Sequence, residues 1–391
     1  MQTPLPDVQL FLRPGIVELS WGHPDPTLLP VDGLLQATQA ALERDGPRAL
    51  SYGAEQGPWR LIEQLCARLG RLEDVAPSPE QVMITGGTSQ ALDMLCTLLT
   101  KPGDVVLVES PTYHLALRIL RDHGLELIPV PGDDDGLQVD VLEETLATLQ
   151  RQGRKARLLY VVPTFSNPTG ITLETERRRE LVALAQRAGL TVLEDDAYRE
   201  LWYDSPPPPS LHSLAPVGPV VRLGSFSKVL APGLRLGWML AAPEVIRRCT
   251  GSGMLDSGGG VNHFTAHVVA AFIELGLLDR QVETLRANYS RRHDVLLNAL
   301  ATYLPEDCCW ARPGGGFFVW VRLPAGVDSS ALLPTAESAG VSYVPGARFC
   351  AGGGGEQYCR LAFTLLSPDE LEEGAHRLGA ALRAYRQQPA P

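Results

Sequence analysis

The chain has 391 residues, a net charge of −11, and 45% hydrophobic and 20% charged residues. That acidic balance offers no basic face for nucleic acid, and no apolar run approaches the ~20 residues a membrane span needs. The length allows two domains or one large α/β domain, and seven cysteines without a Cys-x-x-Cys pair read as free thiols of a cytoplasmic protein. The first residues, Met-Gln-Thr-Pro-Leu-Pro-Asp, lack the basic and apolar pattern of a secretory signal.

In chain order, 81–85 reads as a strand and 88–100 as a helix with apolar periodicity. A second strand, 104–109, follows the turn Lys101-Pro102-Gly103. Further strands are expected at 125–130, 158–162, 191–194, 220–223 and 237–242. Continuous Val/Ile/Leu runs separated by helices predict a mostly parallel, buried sheet, with ligands at the carboxyl ends of its strands. Beyond residue 275 the pattern changes: a long amphipathic helix at 277–302, strands at 314–321 and 358–364, and a last helix at 368–386. This suggests a large domain over 46–290 and a smaller α+β domain from 1–45 and 291–391. Pro206 to Pro209 and Gly352 to Gly355 read as surface loops, and there is no internal repeat.

Several strand ends carry chemistry. In Ser225-Phe226-Ser227-Lys228, with Arg235 seven residues on, an amine stands among two hydroxyls and a guanidinium. The amine can form a Schiff base while Ser225, Ser227 and Arg235 gather round a phosphate. Pyridoxal 5′-phosphate carries both an aldehyde and a phosphate, so one such segment could hold both ends of it. A strand running into a polar turn would look the same. Asp195 closes an apolar strand, where a carboxylate can pair with a protonated pyridine nitrogen, and the phenol of Tyr198 could reach the ring's 3′-oxygen. Asn167, in Asn167-Pro168-Thr169-Gly170, could donate to the same oxygen, although the run is equally a good turn. Gly86-Gly87-Thr88-Ser89-Gln90 joins a strand to a helix, where backbone N–H groups and the helix dipole suit a phosphate. Tyr113 could stack on a pyridine face. Zinc hydrolysis does not fit, since Phe264 stands where the His263–His267 pair would need a glutamate, and no Gly-x-Ser-x-Gly elbow is present.

Taken together, these residues resemble the fold-type I pyridoxal-phosphate aminotransferases of class I/II over nearly the whole chain. The resemblance implies Lys228 as the Schiff-base lysine, Asp195 on the pyridine nitrogen, Asn167 and Tyr198 on the 3′-oxygen, and Tyr113 on the ring face. It implies Ser225, Ser227, Arg235, Thr88, Ser89 and Gln90 round the phosphate. Arg360 would grip the substrate α-carboxylate in a bidentate fork, helped by the backbone of Gly22. Tyr52 matches a tyrosine that reaches the phosphate of a neighbouring subunit, which implies a homodimer. The expected reaction is ping-pong transfer of an amino group from an L-amino acid to a 2-oxo acid such as 2-oxoglutarate, without a metal. A lyase, racemase or biosynthetic enzyme could keep the same residues, and a non-catalytic cofactor-binding protein is the alternative of another class. Arg13 to Pro30 and Gly258 to Asn262 resemble the branch that acts on 2-aminoadipate and aromatic amino acids. The chain starts twelve residues before Arg13, so no fused DNA-binding module is expected.

Overall fold

The computed structural model describes residues 8–73 and 75–387. A short N-terminal strand, β1 (Val17–Glu18), precedes the eight that build the main sheet: β2 (Val82–Thr85), β3 (Val105–Ser110), β4 (Glu126–Asp133), β5 (Gly136–Leu137), β6 (Ala156–Val161), β7 (Thr191–Asp195), β8 (Val220–Ser225) and β9 (Gly237–Leu240). Their order is β2-β9-β8-β7-β6-β3-β4-β5. The pairs between β4 and β8 are parallel, and β9 runs antiparallel to both β8 and β2. The small β5 forms an antiparallel hairpin with β4.

Side chains on these strands alternate between two apolar layers, as a sheet covered by helices on both faces requires. Val106, Val108, Leu158, Tyr160 and Leu193 pack on one side with Leu92, Leu95 and Leu120 from the helices Thr88–Leu99 and His114–Asp122. Leu107, Leu159, Val161 and Val192 pack on the other with Leu142 and Leu181 from the helices Val139–Arg151 and Thr175–Ala188. The apolar runs read from the sequence are therefore the two-sided core strands they were expected to be, with ends shifted by at most three residues.

A second, antiparallel sheet has the order β10-β11-β14-β13, formed by β10 (Cys309–Trp310), β11 (Phe318–Arg322), β13 (Val344–Pro345) and β14 (Tyr358–Ala362). The remaining strand, β12 (Val341–Ser342), lies beside β1 in a parallel pair. The helices Leu277–Tyr303 and Pro368–Arg386 share a buried cluster with this sheet through Leu296, Leu300, Val319, Leu361 and Leu378. The strand expected from 314 starts only at Phe318. Gly316 has φ +80, a conformation that breaks the extended run, and the bend it makes lets Gly315 bridge to Trp202 beside the main sheet. All seven cysteines are free thiols, and no helix among the described residues is long and apolar enough to cross a membrane.

One buried cation holds the loop after β6 in place. Arg178 donates from Nε to the Leu173 carbonyl at 2.7 Å, and from Nη2 to the Pro163 carbonyl at 2.6 Å and Thr164 Oγ1 at 3.0 Å. A guanidinium can satisfy several carbonyls from one rigid plane, and removing it leaves them unpaired in the interior. Arg178→Met is expected to lower unfolding free energy by about 3 kcal/mol, seen as a lower urea midpoint.

Candidate active site

The carboxyl ends of β2, β3, β6, β7 and β8 lie along one edge of the sheet, and the residues singled out in the sequence follow those ends. Lys228 sits three residues beyond the end of β8. Its Nζ donates to the Gly22 carbonyl at 3.2 Å and lies 5.2 Å from the ring centre of Phe317 and 5.8 Å from that of Tyr198. Burial, and next the Arg360 cation, push the amine down to about 8, while Asp195 acts in the opposite direction. Lys228 therefore gives up its proton more readily than an ordinary lysine, as a nucleophilic or proton-accepting amine requires.

Asp195 is the last residue of β7 and is buried. Its Oδ2 accepts a hydrogen bond from the Tyr160 hydroxyl at 2.7 Å, whereas Oδ1 has no partner among the described residues. Burial raises this carboxyl to about 6, against the lowering effect of the Tyr160 bond. A buried acid with an open oxygen at a strand end suits a cationic hydrogen-bond donor. Tyr113 follows β3, and its phenol is pushed up to about 12 by burial and then by the Asp195 charge. Tyr198 is buried, with its phenol raised for the same first reason and then by Tyr113 and Asp195.

An anion cradle lies beside these groups. Gly87 caps the helix Thr88–Leu99 with φ +100, and a Cβ there would stand 3.2 Å from Nη2 of Arg235. Only glycine combines that backbone with that approach. The exposed helix start and the guanidinium thus face the same small space, both favouring negative charge. Gln90 accepts from the Gly86 N–H at 3.1 Å, which fixes the turn ahead of Thr88 and Ser89. Arg235 is itself left-handed, with φ 48, and reaches Ser227 Oγ at 3.5 Å and the Gly86 carbonyl at 3.4 Å. Asn262 donates to its backbone carbonyl. Ser225 Oγ accepts from the Ser227 N–H at 3.0 Å, which curls the segment leading to Lys228.

Arg360 comes from β14, in the other sheet, yet reaches this edge. Nη1 donates to Asn167 Oδ1 at 3.0 Å, Nη2 to the Ser20 carbonyl at 2.7 Å, and the buried Nε has no partner. Its guanidinium carbon lies 4.3 Å from the ring centre of Phe318 and 5.1 Å from that of Phe349. Burial depresses it to about 10. A cation buried on aromatic faces with an orphan N–H is poised for a planar anion.

Tyr52 stands apart from this group, with 90% of its surface exposed. Sequence reasoning missed Tyr160, Phe318, Phe349 and the Ser20 carbonyl. Tyr160 sits inside a strand like any core tyrosine, and the others act through contacts between distant segments.

Residues 16–378 match the family model "Aminotransferase class I and II". The chain belongs to this aminotransferase family. It is 35% identical over 386 residues to aromatic-amino-acid aminotransferase 1 of Thermococcus litoralis, covering 96% of this chain and 90% of that one. Kynurenine aminotransferase of Pyrococcus horikoshii, solved in complex with PMP, superposes with a TM-score of 0.91 and 37% identity, covering 96% of this chain and 92% of the other. The α-aminoadipate aminotransferase of Thermus thermophilus, complexed with N-(5′-phosphopyridoxyl)-L-leucine, gives 0.85 and 34%, covering 95% and 93%. The fold is that of a fold-type I aminotransferase, and the chain is an aminotransferase.

The raised Asp195 carboxyl has a consequence for stability. Its folded value, about 6, lies above the ordinary 3.8, so the folded state holds the proton more tightly. The stability this contributes is full below pH 4 and is lost as pH rises towards 6. In the cofactor-free protein, Asp195→Asn is therefore expected to raise the thermal midpoint at pH 7. The upper bound is about 3 kcal/mol, and the difference from the unsubstituted protein should shrink towards pH 4. Parallel melts at the two pH values check this.

Proposed function

We propose that this aminotransferase binds pyridoxal 5′-phosphate through Lys228 and moves an amino group from an L-amino acid to a 2-oxo acid, 2-oxoglutarate foremost, in ping-pong order. The observation that carries the proposal is a buried amine, depressed to about 8, in the same pocket as a buried carboxyl with an unpartnered oxygen. The residues suit the cofactor: an amine for its aldehyde, Asp195 Oδ1 for its ring nitrogen, and the Gly87 helix start with Arg235 for its phosphate. When bound, the cofactor supplies the aldehyde and a cationic ring that accepts electrons from the substrate Cα–H bond.

The chain's own groups do the rest. Asp195 would keep the ring nitrogen protonated, and Tyr160 holds the Asp195 side chain by its other oxygen. Asn167 and Tyr198 would donate to the 3′-oxygen, and Tyr113 would cover one ring face. Ser225, Ser227, Thr88, Ser89 and Gln90 would complete the phosphate cradle begun by Arg235. Arg360, with the Gly22 backbone, binds the substrate α-carboxylate and so fixes the Cα–H direction. Lys228 Nζ, as free base, accepts the Cα proton and returns it elsewhere as a general acid.

The exposure of Tyr52 supports a second copy of the chain whose phosphate cradle it would complete. Leu50 and Trp59 near it are also exposed, and apolar surface of this kind favours association. The free thiols support a reducing, cytoplasmic setting. We assign the large domain to 46–290 and the small one to 1–45 and 291–391.

The test is a panel of amino donors with 2-oxoglutarate, scoring glutamate by mass spectrometry and ammonia in parallel. Glutamate formation with a clear donor preference supports the proposal; ammonia without glutamate points to elimination on the same scaffold. Borohydride treatment with pyridoxal phosphate is expected to add the cofactor's mass to the unsubstituted chain and none to Lys228→Ala at that position, as read by peptide mapping. Arg360→Lys is expected to raise KM for amino acids about 10- to 100-fold. Its affinity for pyridoxal phosphate should stay within about threefold, and steady-state kinetics with a cofactor titration separates the two effects.

A further inference from the structure

Behind the ends of β7 and β8 lies a cavity of about 260 Å³ whose lining includes Asp196 but not Asp195. The helix Trp59–Glu73 and the loop at Pro206 and Pro207 close its sides. Five arginines line it: Arg68, Arg71, Arg199, Arg222 and Arg286. Three are paired with carboxylates, Arg68 with Glu200 and Asp279, and both Arg199 and Arg222 with Glu73 and Asp196. Glu283, close enough to act on Arg286, adds a further carboxylate, so the charges round the cavity nearly balance and what stays open is a guanidinium edge.

The open edge belongs to Arg286. Arg286 forms no ion pair among the described residues. Its Nε donates to the Glu200 carbonyl at 2.6 Å, and its guanidinium carbon lies 4.0 Å from the ring centre of Trp202. Stacking on the indole fixes the plane of the cation, and its Nη groups form no hydrogen bond among the described residues. This is the geometry that receives a carboxylate in a fork. Phe226, Trp238, Leu65 and Val229 give the cavity apolar walls. A cavity of ~150 Å³ holds a benzene ring, so the volume here accommodates a ring with a short acidic tail. Asp196 and Glu200 also line the space, and a second negative charge on the occupant would be repelled by them. One open guanidinium edge takes one carboxylate.

We infer that this cavity is a binding site for a small aromatic monocarboxylate, separate from the Lys228 pocket. Ser225 and Phe226 form part of its wall, so an occupant touches the segment that presents Lys228 from behind. The inference does not rest on the reaction proposed above.

The experiment is calorimetric titration of 3-phenylpropanoate into the purified protein with its bound cofactor, in three forms: unsubstituted, Arg360→Ala and Arg286→Lys. Arg360→Ala removes the carboxylate clamp of the Lys228 pocket and is expected to retain one bound equivalent per chain. Arg286→Lys keeps the charge and most of the stem but loses the fork, and is expected to weaken that equivalent about tenfold or more. Circular dichroism and the thermal midpoint confirm that the lysine variant is folded. Absence of binding, disappearance of all binding in Arg360→Ala, or undiminished binding in Arg286→Lys overturns the inference.

Discussion

Two adjacent buried carboxylates, Asp195 and Asp196, hold the chemistry of this protein in balance. Successive residues leave a strand on opposite faces, so Asp195 turns to Tyr160 while Asp196 turns to Arg222, which meets it through Nε at 2.9 Å and Nη2 at 2.8 Å. Asp196 raises the pKa of its neighbour, so an uncompensated charge there would press Asp195 further towards its neutral form. Arg222 is shared with Glu73, and Arg199 joins both acids. Each acid has one bonded oxygen, Asp195 to Tyr160 and Asp196 to Arg222, and one without a partner among the described residues. Buried ion pairs of this kind contribute little net stability, and their persistence beside a strained carboxyl is better understood as electrostatic control of it.

Much of this is legible in the amino-acid order alone. The strand runs are visible because a sheet buried on both faces demands continuous apolar residues, and the loops at their ends hold the reactive side chains. Lys228, Asp195, Asn167 and Arg235 can be picked out because each is a polar residue near the end of an apolar run. Arg360 and Gly22 have no such local sign and are assigned only through resemblance to a family. Tyr160 is illegible because hydroxyl and ring alike belong to an ordinary strand position, and only the neighbouring strand shows what the hydroxyl meets. The delayed start of β11 is likewise hidden, since Gly314-Gly315-Gly316 is compatible with either a strand or a bend until Trp202 is placed beside it.

Polar contacts between segments distant in sequence gather at this edge of the main sheet. Arg360 crosses from β14 to Asn167, and Lys228 crosses from the β8 end to Gly22. Phe165, held at φ 49, presses its ring to within 2.6 Å of where a Cβ on Gly315 would stand. The pocket is thus assembled by segments far apart in sequence, each rigid on its own sheet, which suits a site whose groups must hold position to a fraction of an ångström.

Arg360 is held by its own chain without being used up. Two of its five N–H groups serve an amide oxygen and a main-chain carbonyl, two neutral acceptors set side by side. The buried Nε N–H is left over, without a partner among the described residues. The neutral acceptors fix the plane of the guanidinium, so an anion meeting its free edge would add charge-assisted bonds to ones already made. An ester or amide, lacking that charge, would gain far less there.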